Sequence, residues 1–164
     1  MSQLNVNVIK NQNGNGGPTL EALTVTNESI LSGVRFTAGQ LCESVNVVST
    51  TLTSASTIDL SAGMVHYFTS TEIAQSIPNL TVSGKSVNQI MAIGEAISVV
   101  IMLTPSSAGY FSTMTIDGSA VTPMWGGGSA PDSGSDSGVD VYPLQIIKTA
   151  DNTYTVLANK SNFA

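Results

Sequence analysis

Ionised side chains are scarce in this chain. Asp, Glu, Lys and Arg make up 10% of its 164 residues, against roughly a quarter in an average globular domain. The five cations, Lys10, Arg35, Lys85, Lys148 and Lys160, are scattered, and the net charge is -6. Nucleic acid repels such a surface, and an anionic membrane offers it no purchase. Cysteine is limited to Cys42, so no intrachain disulfide forms and assembly in a reducing compartment fits. Long apolar runs are missing as well. The longest, residues 96–103, falls well short of the roughly 20 residues that a spanning helix needs, so no membrane insertion is expected. The opening MSQLNVNVIKNQ lacks the basic-then-apolar order of a secretory signal.

Apolar residues are plentiful, at 41%, so the chain can bury a core and is not a disordered polymer. Polarity comes from Ser, Thr and Asn rather than from charge. Such a surface has few long side chains to immobilise, and ordering a Lys or Glu costs up to about 2 kcal/mol. Close packing against identical copies is therefore expected.

The spacing of apolar residues predicts strands almost throughout. Leu4, Val6 and Val8 alternate with Asn5 and Asn7, a period of two. The segment NQNGNGGP then stops that pattern. Residues 1–44 read as an extended N-terminal arm, with Leu4, Val6, Val8 and Ile9 as its attachment residues. From residue 45 onward, strands are predicted over residues 45–52, 57–60, 64–69, 81–82, 95–104, 113–116, 139–148 and 153–157. Turns are predicted at Ser83-Gly84-Lys85, Asp117-Gly118 and Ala150-Asp151-Asn152. Residues 72–76 and 87–93 have room for a helical turn or two. Crossover helices are missing, which disfavours a parallel βαβ arrangement, and no repeat of fixed period supports a solenoid. The expected fold is all-β: an antiparallel β-sandwich or jelly-roll-like body over residues 45–164, carrying the arm.

Chemistry has little to draw on. His66, the single histidine, shares its strand face with Met64 and Phe68 and reads as a half-buried strand residue; no G-x-S-x-G elbow accompanies it. One Cys and one His cannot complete a zinc site. Asp132, Asp136 and Asp140 lie in PDSGSDSGVD, where oxygen ligands among glycines suit calcium, yet the spacing misses the EF-hand order, and a solvated acidic loop is the simpler reading. Neither a metal nor a cofactor is expected, and no catalytic residue is assigned. Trp125, before Gly126-Gly127-Gly128, is the strongest binding candidate. Its ring either stacks on a sugar or a partner, with Tyr110, Asp132 and Asp136 beside it at an exposed tip, or folds back to cap the sandwich, where a core short of aromatics needs its volume.

Four stretches carry a family resemblance: TIDLSAGMVHYFT (57–69), SGKSVNQIMAIGEAISVVI (83–101), AGYFSTMTIDGSAVTPMWGGGSAP (108–131) and DVYPLQIIKTADNTYTVLANKSNFA (140–164). Their ordered set IGEAI, TIDG, W-x-GG-SAP and IIKTA covers more than half of the chain. It resembles a C-terminal β module of small fibre-like virion structural proteins of marine tailed phages, cyanophages above all. The opening LNVNVIKNQNGNGGPTL (4–20) is similar to their leaders. The resemblance implies a non-enzymatic virion component assembled in the host cytoplasm. Its partners would be itself, as a homo-oligomer with a trimer favoured, other virion proteins of capsid, neck or tail, and host-surface glycan in the alternative role of a receptor-binding module. The chain has no repeated shaft between leader and module, which points to a short decoration rather than a long fibre.

Overall fold

The computed structural model describes residues 42–53 and 56–164. The attachment residues Leu4, Val6, Val8 and Ile9 lie outside the described residues. Eleven strands, one α-helical turn and two 3-10 turns (Leu60–Ala62 and Gly126–Gly128) are described: β1 Val45–Val48, β2 Thr57–Asp59, β3 Val65–Glu72, β4 Asn79–Thr81, α1 Val87–Ile90, β5 Ala96–Pro105, β6 Met114–Ile116, β7 Ser119–Val121, β8 Met124–Trp125, β9 Val139–Ala150, β10 Thr153–Ala158 and β11 Ser161–Phe163. The fold is all-β, as the alternation predicts. No helix among the described residues is long and apolar enough to cross a membrane.

Strand direction differs from the antiparallel expectation. The larger sheet has the order β1-β3-β5-β9-β10-β8, with β11 also on β9; the smaller has the order β2-β4-β6-β7. β1 pairs with β3, and β3 with β5, in parallel. In the opposite sheet β2 pairs with β4, and β4 with β6, again in parallel. The chain winds: each coil lays one strand in the larger sheet and the next in the smaller. Parallel neighbours need a long crossover, and here a strand of the facing sheet serves instead of a helix. Coil lengths are unequal, since Val45 pairs with Val65 and Val65 with Val100. That inequality is why no fixed period shows in the sequence. Past β6 the pattern changes to antiparallel pairing of β6 with β7, β5 with β9 and β9 with β10.

Local chemistry explains the corners. Asp117 (φ 51°) and Gly118 (φ 80°) both adopt positive φ and close the β6–β7 hairpin as the two-residue turn their types favour. α1 is a single turn. Ser86 and Gln89 form a reciprocal cap at its start, and the Asp117 carboxylate accepts from the Val87 and Asn88 amides. At its end the Lys148 ammonium donates to the Asn88 and Met91 carbonyls, at 2.7 and 2.8 Å. The charges thus match the positive and negative ends of a helical turn. Residues 72–76 make no helix: β3 runs on to Glu72, and Ser76 bridges to Phe111.

One core lies between the sheets. Phe68, Val99, Ile101, Leu103, Tyr142, Leu144 and Ile146 face Ile58, Leu80, Met114 and Ile116 in it. The opposite face of the larger sheet is set by the same registers. Val47, Tyr67, Met102 and Val141 form one row across β1, β3, β5 and β9, and Val45, Val65, Val100 and Pro143 the next.

Candidate functional site

Trp125 is held by a two-residue strand. β8 lies parallel to the end of β10, with Ala158 opposite Trp125. Gly127 (φ 80°) and Gly128 (φ 82°) then turn the chain through a conformation that side-chain-bearing residues resist. The indole N–H donates to the Ser112 carbonyl at 3.1 Å. The ring meets Phe111 at 6.0 Å and Tyr142 edge-on at 6.2 Å, and Phe111 and Tyr142 stand 4.3 Å apart. Trp125 is therefore half-buried and closes one end of the core, which is the second of its two sequence readings.

The outer part of the residue still walls two hollows. One, of about 240 Å³, is polar and bounded by Trp125, Ser129, Asp132, Ser133, Asn159 and Lys160. The other, of about 470 Å³, is more apolar and includes Ser112, Pro123, Met124 and Ala130. Asp132 thus joins Trp125, as the tip reading expects. Asp136 and Tyr110 line neither hollow. Asp136 accepts instead from the Ser107 amide at 3.1 Å, and the Tyr110 carbonyl accepts from the Ser76 amide.

The glycine, serine and aspartate loop is tied down along its length. Asp140 is fully buried on the core side of β9 and pairs with Lys160 at 3.0 Å. It also accepts from the Ser135 amide and the Asn162 side chain. Lys160 donates in addition to the Ser133 carbonyl, and Asn162 to the Ser137 carbonyl. Gly134 sits so close to the Ser106 carbonyl that a Cβ there would lie 2.0 Å from its oxygen. The three loop aspartates do not converge. Among the described residues no group of three His, Cys, Asp or Glu side chains comes together to hold a metal.

His66 is more deeply placed than the half-buried reading: it is 1% exposed. Its Nδ1 lies 3.1 Å from the Asn46 amide nitrogen and its Nε2 2.9 Å from the Gly63 carbonyl. The neutral ring with hydrogen on Nε2 satisfies both, accepting from Asn46 and donating to Gly63. Burial lowers its pKa further below the ordinary histidine value.

Two buried polar positions escaped the sequence reading. Glu72 is 1% exposed and accepts from the Leu52 amide at 2.6 Å, and burial pushes its pKa up to about 7. Nothing in its flanking sequence marks it as inward. The Asp140–Lys160 pair did leave a signal: Asp140 is in phase with Tyr142, Leu144 and Ile146 on an alternating strand, and so is Lys148. The Tyr142 hydroxyl is buried with no hydrogen-bond partner among the described residues, and burial followed by the nearby Asp140 charge raises its pKa. No protein-family model, curated protein or solved structure matches this chain.

Proposed function

We propose that this protein is a structural, non-enzymatic part of a phage particle, fixed to head or tail by the residues that precede β1 and displaying the opposite rim of its body. The observation that carries this reading is the placement of β1 and β8 at opposite ends of the larger sheet. The chain enters the described body at one rim, and Trp125 with its loop stands at the other. A skin of hydroxyls and amides, the phage-module resemblance and a tied-down loop all support a role as a shaped, self-associating display unit beside capsid, neck or tail proteins. The test is incorporation. A chain lacking residues 4–37 should retain a folded body by circular dichroism yet be missing from purified particles. Particles that take up the shortened chain at the full-length level overturn the assignment.

A second reading has a specific observation behind it. The polar hollow sets an indole beside Asp132, Asn159 and Lys160, the pairing of flat apolar face and hydrogen-bonding rim that suits a sugar. Under this reading the displayed rim grips host-surface glycan, and the Trp125→Ala chain, still incorporated, loses binding on a glycan array. Retained binding removes this reading alone.

A further inference from the structure

The outer face of the larger sheet is built to be covered. All-parallel sheets are buried on both faces, and their strands run apolar without alternation; the β1–β3–β5 part of this mixed sheet is parallel. β5 reads AISVVIMLTP, and its Val100 and Met102 point away from the core that holds Val99, Ile101 and Leu103. The two rows Val47–Tyr67–Met102–Val141 and Val45–Val65–Val100–Pro143 carry no charge. The following row, Ser98, Gln145, Leu157 and Met124, carries none either. The ionised residues of the body lie inside it, like Asp140 and Lys148, or on its loops and strand ends.

We propose that this face is the contact between two copies of the chain, joined across a two-fold axis. Three arguments select a second copy as the occupant. A chain of net charge -6 repels its own kind, and copies approach most easily where charge is absent. An uncharged apolar face also matches itself, row against row. The area also fits. Five strands at about 4.8 Å spacing and a mean length of about 26 Å give roughly 600 Å², at the lower end of what each partner gives to a standard interface. A patch that pairs with itself closes as a dimer, in place of the threefold assembly implied by the phage resemblance. The inference deepens the assembly reading by naming partner and face. It is measured on the purified chain, so it can fail while particle incorporation stands, and the reverse.

Sedimentation velocity and native mass measurement on the full chain should give two copies, or an even multiple. Val47 and Leu157 are 63% and 46% exposed, so lysine is tolerated there in a single copy. Val47→Lys with Leu157→Lys places four ammonium groups in the joined interface and should weaken association at least about ten-fold. Ile93→Lys, equally exposed at 66% but off the sheet, should leave the mass unchanged. Thermal melts confirm that each variant is folded. A wild-type mass of one or three chains overturns the proposal, since the face is then covered otherwise. A dimer that survives both lysines overturns it too.

Discussion

In the wound half of the body, β1 to β6, neighbouring strands run parallel and each coil is joined to the next by parallel backbone ladders in both sheets. In the hairpin half, β6 to β11, strands turn back on themselves, and the buried ion pair Asp140–Lys160 lies there. Among the described residues the wound half ends in the edge strands β1 and β2, while the hairpin half is closed by Trp125 and Tyr142, with Phe111 against them, and by the loop pinned by Asp140 and Lys160. The difference teaches where order is needed. Stacked coils are specified by apolar phase and tolerate unequal lengths. A long loop of glycine, serine and aspartate specifies nothing by itself and is fixed by a buried charge pair beneath it.

The comparison breaks most readily at that pair. Replacing Lys160 by Met leaves Asp140 buried and uncompensated, and should cost about 3 kcal/mol in urea unfolding. Adding Asp140→Asn should return much of the loss, because the stranded charge is then gone. A single-variant loss below about 1 kcal/mol would show that the loop does not depend on it.

A smaller effect is expected from the glycines. Gly134→Ala drives a Cβ into the Ser106 carbonyl, an overpacking of about 2 kcal/mol. Gly84→Ala in the wound half meets nothing within 4 Å and carries only the cost of its positive φ, roughly 1 kcal/mol. Melting temperatures of the two variants, side by side, check the order; reversal would mean that the loop yields and the coil does not.

The mildest test uses pH, and it probes the wound half. The folded pKa of Glu72 is raised to about 7, so its contribution to stability is fully present below its unfolded value near 4.5 and is lost as pH rises through about 7. For His66 the folded pKa is lowered, so its contribution is present above the unfolded value of 6.5 and is lost as pH falls below it. The two slopes oppose one another. Glu72→Gln removes only the first, so its effect relative to wild type should be more favourable at about pH 8 than at about pH 5. Equal effects at both would mean that Glu72 is solvated.

How much could be read beforehand varies by residue. Alternation located β3, β5, β9 and β10, and the Asp117-Gly118 and Asp151-Asn152 turns, since those signals are local. It also put His66 in phase with Met64 and Phe68, but read it as half-buried where the structure buries it fully. β7, β8 and β11 escaped because their few residues, Ser-Ala-Val, Met-Trp and Ser-Asn-Phe, show no apolar alternation, and Trp125 was left between two roles because its partners, Phe111 and Tyr142, come from other parts of the chain. Glu72 escaped because its burial depends on Leu52 and Gly109, which reach it from other coils.

The amino-acid order by itself determined that this chain would be strands, where most of them turn, and which side of each long strand is apolar, because side-chain phase and positive φ are properties of a few adjacent residues. Only the tertiary structure decided that the strands of the first half wind in parallel, that Asp140 and Lys160 meet, and that the uncharged residues of β1, β3, β5 and β9 line up on one sheet face. Pairing direction and burial are set by contacts between residues far apart in sequence, and the free energy of those contacts belongs to no single segment.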